Sequence, residues 1–63
     1  MNKVVVTNEF EQTRLDAFLV TLLDGKSRSY AQKVIEEGKC LVNGKTSKHS
    51  YKIRVNDVIE YDL

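Results

Sequence analysis

Leu15, Phe18, Leu19, Leu22 and Leu23 recur at i, i+3, i+4, i+7 and i+8. That spacing lays five large apolar side chains along one stripe of an α-helix, and a strand period does not reproduce it. A stripe this apolar must be covered. The remainder of a 63-residue chain therefore has to supply the partner surface for one amphipathic helix. At this length there is room for one small domain, which buries only about 60% of its unfolded surface.

Local signals say how the cover is built. Thr13 stands ahead of the stripe as an N-cap, with Asp16 as the acid of a capping box, and Asp24-Gly25 ends the helix. A second helix is expected from Arg28 to Glu37, with Ser27 as its N-cap and Gly38 just beyond its end. Ala31, Val34 and Ile35 form its apolar side, while Arg28, Ser29, Gln32, Lys33 and Glu36 share the opposite arc. A connection of about three residues makes the two helices an αα-hairpin. Lys3–Thr7, Lys39–Val42, Lys45–Ser47, Tyr51–Val55 and Val58–Leu63 read as short strands, the last pairing with Val4–Val6. Asn43-Gly44 is a strong hairpin turn, because both residues tolerate φ > 0. The expected fold is α+β: a two-helix hairpin packed on a small, mostly antiparallel sheet.

Composition excludes several functions. The longest apolar runs are three or four residues (Val4–Val6, Ala17–Val20), too short to span a membrane or to form a secretory signal core. Cys40, the single cysteine, forms no internal disulfide and no Cys/His metal cluster; on an apolar strand face it reads as a small buried hydrophobe. A reducing, cytoplasmic setting is expected. His49 has no nucleophile at a recognisable spacing, and Glu36-Glu37 diverge by about 100° on a helix, so neither suggests catalysis. The sequence offers no catalytic residue, metal ligand or cofactor loop.

Charge is more informative. Eight of the ten Lys and Arg residues lie between Lys26 and Arg54, against only Glu36 and Glu37, and both ends of the chain are acidic. A basic middle of this kind suits a polyanion. Arg28 and Ser29 fall in the first turn of the second helix, where free N–H groups and the dipole favour phosphate. Gln32 and Lys33 follow one turn on, Asn43, Gly44 and Lys45 form the hairpin tip, and Lys48 lies just beyond. Together they read as an RNA- or DNA-binding surface, with Arg as a bidentate fork and Lys as a point charge.

The order of R-L-D-A-F-L (Arg14–Leu19), S-R-S-Y-A-Q-K-V-I-E-E-G (Ser27–Gly38), L-V-N-G-K (Leu41–Lys45), S-Y-K-I and D-V-I resembles the S-four RNA-binding domain, named for small-subunit ribosomal protein four. The resemblance covers about residues 13–62. It implies that Arg28, Ser29, Gln32 and Lys33, with Asn43, Gly44 and Lys45, face structured, ribosomal RNA. Gly38 and Gly44 would serve the backbone. The leading strand and the L-L-D-G-K-S-R-S spacing are most similar to the N-terminal domain of ribosomal large-subunit pseudouridine synthases. That likeness implies an excised module whose cofactor-independent isomerase domain lies in cis outside this chain. Arg14-Leu15-Asp16 resembles the catalytic R-L-D of those enzymes, but no T-S-G-like segment follows, so Asp16 is not expected to be catalytic. A stand-alone RNA- or ribosome-binding protein, or a protein-interaction module working through the hairpin or a strand edge, remain alternatives.

Overall fold

The computed structural model describes residues 1–62. In chain order these form β1 (Asn2–Val5), a short 3-10 turn (Asn8–Phe10), α1 (Leu15–Leu22), α2 (Arg28–Glu36), β2 (Cys40–Val42) and β3 (Val58–Tyr61). The fold is α+β, with two helices on a three-stranded sheet ordered β1-β3-β2. Both pairings are antiparallel, and Ile59 lies between Val4 on one side and Val42 on the other. The last strand of the chain is thus the central one, which brings Asn2 beside Tyr61 as the sequence led us to expect. Strand ends are shorter than read from sequence, and the Leu63 end of the expected last strand lies outside the described residues.

The core forms where the helix stripe meets the sheet. Leu15, Phe18, Leu19 and Leu23 pack with Ala31, Val34 and Ile35 of α2, with Val42 and Ile59 of the sheet, and with Val6, Cys40 and Ile53. Phe10 closes one side with its ring centroid 5.1 Å from that of Phe18, edge to face. Leu22 is only half-buried, and Leu23 is buried although it has already left the helix at φ −103°, ψ 92°. The connection to α2 runs over Leu23–Ser27, longer than expected, with Gly25 at φ 74°. Ser27 caps α2 as anticipated, its Oγ accepting the Tyr30 N–H at 3.1 Å.

Three expectations are corrected. Thr13 is not the N-cap of α1; Arg14 holds that position, with Phe18 N donating to its carbonyl. The reason is tertiary: the Leu15 and Asp16 N–H groups donate to the carbonyls of Tyr51 (2.7 Å) and His49 (3.0 Å), so a distant segment does the capping. Lys45–Ser47 and Tyr51–Val55 are not strands; among the described residues they make single bridges, Val42↔Lys45 and Arg14↔Lys52. Residues 49–53 are instead committed to the start of α1, with Ile53 N bonded to Thr13 O and Gln12 N to Ile53 O. Their alternation survives: Ile53 is buried, Tyr51 and Val55 are half-buried, and Lys52 and Arg54 are exposed.

Asn43 and Gly44 do form the tight turn, at φ 53° and 82°, with Val42 and Lys45 exchanging both backbone bonds. Cys40 is fully buried in β2, and burial pushes its thiol up to about 11. A thiol-reactive probe at neutral pH should therefore leave the native chain unmodified over minutes and label it stoichiometrically once denaturant unfolds it. Rapid native labelling would show that the β2 face opens.

Candidate nucleic-acid interface

The polar arc of α2 divides into two edges. Along one, Arg28 and Gln32 lie one turn apart and both reach Asp16 of α1. Asp16 is fully buried, on the shoulder of the apolar stripe, and its carboxylate is saturated. One oxygen accepts from Ala17 N at 2.7 Å and Arg14 Nε at 3.1 Å. The other accepts from Gln32 Nε2 at 2.8 Å and an Arg14 terminal nitrogen at 3.0 Å, with Arg28 Nε at 3.3 Å. His49 closes the ring, its Nδ1 3.5 Å from Asp16 and its Nε2 3.6 Å from Glu36.

Burial alone would push the Asp16 carboxyl up. The hydrogen bonds from Gln32, Arg14, Arg28 and the Ala17 N–H outweigh it and hold the group well below the usual carboxylate range. Chemically, one buried anion fixes two arginines whose side chains remain 40% and 52% exposed. Each guanidinium has more N–H donors than the carboxylate uses, and two cations meet one buried anion. Such a fixed pair has the chemistry to take an external anion such as a phosphate.

Sequence reasoning placed Arg28 and Gln32 on this surface, but read Asp16 as a cap and left Arg14 out. A signal was available: a carboxylate beside Leu19 on a stripe that must be covered needs cationic partners. Ser29 and Lys33 lie exposed on the next arc of α2. Lys48 is exposed and immediately precedes His49, so its backbone is held near the Asp16 cluster.

Asn43 belongs to a separate polar centre. The Asn43 amide donates to Asp57 at 3.0 Å and accepts Val58 N at 2.9 Å. Asp57 is buried and also accepts Tyr51 Oη at 2.7 Å and Arg54 N at 2.9 Å. Burial raises the Asp57 carboxyl, but the bonds from Tyr51, Arg54 N and Asn43 bring it below its ordinary value; the same contact raises the Tyr51 phenol. Both ends of the Asn43 amide are thus engaged within the fold, which pins the turn to the start of β3. Gly44 and Lys45 stay exposed at the tip.

Among the described residues no group of three or more His, Cys, Asp or Glu could hold a metal ion, and no helix is long and apolar enough to cross a membrane.

The S4 domain pattern matches residues 13–59, and the chain belongs to the S4 family of RNA-binding domains. Two relatives are named as RNA pseudouridine synthases, both described as uncharacterised. YlyB of Bacillus subtilis is 34% identical across 94% of this chain and 20% of its own length. A protein of Chlorobaculum parvum is 39% identical across 73% of this chain and 14% of its own length. The chain thus spans a fifth or less of the relatives it matches.

Proposed function

We propose that this domain docks structured RNA, ribosomal RNA in particular, and so positions a pseudouridine synthase catalytic domain on its substrate. The observation that carries the docking is the pair Arg14 and Arg28, whose part-exposed side chains are fixed on buried Asp16, with Ser29 in the first turn of α2 and Lys33 in its last. Lys48 and the Gly44-Lys45 tip extend the surface, while Asn43 contributes by holding the turn. The positioning role and the isomerase setting rest on the relatives, which carry the synthase name and are several times longer than this chain. A cytoplasmic location goes with ribosomal RNA as substrate. Recognition of this kind reads shape and phosphate more than base sequence.

Arg28→Ala and Lys33→Ala test the surface. Each should weaken binding to a structured ribosomal RNA fragment by about ten-fold, the loss of one charge-assisted contact of ~1.5 kcal/mol. Neither should disturb the fold, because Arg28→Ala leaves Arg14, Gln32 and Ala17 N on Asp16 and Lys33 is exposed. Parent-like affinity in both variants would remove α2 from the interface.

A further inference from the structure

The other edge of the α2 polar arc, about 100° or more around the helix from Arg28 and Gln32, borders an open cleft. Tyr30, Lys33, Val34 and Glu37 of α2 meet Lys39 and Asp62 there around roughly 250 Å³. Tyr30 is 37% exposed, an uncommon position for a large ring in this chain, and Lys26 Nζ lies 5.1 Å from the ring centroid. Lys39 Nζ is 3.6 Å from Glu37, so part of the charge is compensated within the cleft. The composition is an aromatic ring, a buried aliphatic wall at Val34, ammonium groups, and two carboxylates that only accept hydrogen bonds.

We propose that this cleft is a subsite for one unpaired nucleotide of the bound RNA, an inference that rests on the docking reading above. The base stacks on the Tyr30 ring, and Lys26 and Lys33 take its flanking phosphate. A base-paired nucleotide hides its faces in the helix stack, so the occupant comes from a tail or bulge. Glu37 and Asp62 only accept, so they favour a base with an exocyclic amino group, such as adenine or cytosine, over uracil, whose N3–H donor is flanked by two carbonyls that repel a carboxylate. The site adds a stacking contact to an interface otherwise made of phosphate contacts.

The experiment compares a blunt RNA hairpin with the same hairpin carrying a short unpaired adenosine tail, by fluorescence anisotropy. Parent, Tyr30→Leu and Tyr30→Phe chains are titrated with each RNA after circular dichroism shows the three to be equally folded. The tail should tighten parent binding by about ten-fold, Tyr30→Leu should lose that gain, and Tyr30→Phe should keep it. All three should bind the blunt hairpin alike. A tail that adds nothing to the parent, or a gain that survives Tyr30→Leu, overturns the subsite while leaving docking intact. A parent that binds neither RNA overturns the docking reading and the subsite with it. A uridine tail that serves as well as adenosine overturns the amino-group preference.

Discussion

Asp16→Ala is expected to cost about 2–3 kcal/mol of folding free energy, read as a lowered denaturant midpoint at unchanged slope. Removing the acceptor from a buried pair typically costs ~3–5 kcal/mol because the partner charge is stranded. Here the stranded groups belong to arginines whose side chains are 40% and 52% exposed and can rehydrate, so the cost falls at or below the bottom of that range. A domain of this size has on the order of 3–9 kcal/mol in total, which makes the loss a large fraction of its stability. RNA affinity should also fall by about five- to ten-fold at a temperature where the variant remains folded, because Arg14 and Arg28 lose the anchor that orients them. A variant as stable as the parent would show that the cluster is incidental to the fold.

The same group sets a pH dependence with a definite sign. The Asp16 carboxyl is held below its ordinary value in the folded chain, and Asp57 is lowered as well. At acid pH the unfolded chain therefore binds more protons than the folded one, and stability rises with pH. The contribution is fully present above about pH 4–5 and is lost as the pH falls through the folded values. Asp16→Asn should flatten that acid limb and be least destabilising, relative to the parent, at the lowest pH where both can be measured. Asp57→Asn, acting at the hairpin turn, should flatten it independently of Asp16.

What the sequence made legible follows from how local each signal is. The Leu15–Leu19 part of the stripe, the Ser27 cap and the Asn43-Gly44 turn depend on neighbours within a few residues, and each formed as periodicity and turn chemistry demand, while Leu23 is buried from outside the helix. The antiparallel partnership of β1 with β3 was also readable, because both ends are short and β-branched. Lys45–Ser47 and Tyr51–Val55 were not. Tyr51, Ile53 and Val55 alternate like a strand, but the backbone of residues 49–53 is occupied by the first turn of α1, a contact that no local pattern encodes.

The site divides in the same way. Arg28, Ser29, Gln32 and Lys33 share a helix arc and can be found by counting. Arg14 cannot, because its placement depends on a carboxylate two residues away that is buried by the packing of α2 against α1. Asn43 shows the converse: its identity suggested a polar contact, yet the structure uses both ends of its amide to hold Asp57 and Val58.

Salt dependence discriminates most sharply between RNA docking and protein interaction. If Arg14, Arg28, Lys33, Lys45 and Lys48 each neutralise one phosphate, the logarithm of the association constant should fall against the logarithm of salt with a slope of about −4. Between 50 and 200 mM salt that is a loss of about two to three orders of magnitude in affinity, larger than any single substitution should produce. Arg14→Lys keeps the charge and should preserve the slope while weakening affinity, since an ammonium cannot reproduce the fork that spans Asp16 and a phosphate. Arg28→Ala and Lys45→Ala should each reduce the slope by about one. Asn43→Ala, by contrast, should lower affinity through the turn and leave the slope unchanged, because it removes no charge. A slope near zero in the parent would mean that these cations do not meet a polyanion, and the basic middle of the chain would then be a solvated surface around a fold held together by Asp16.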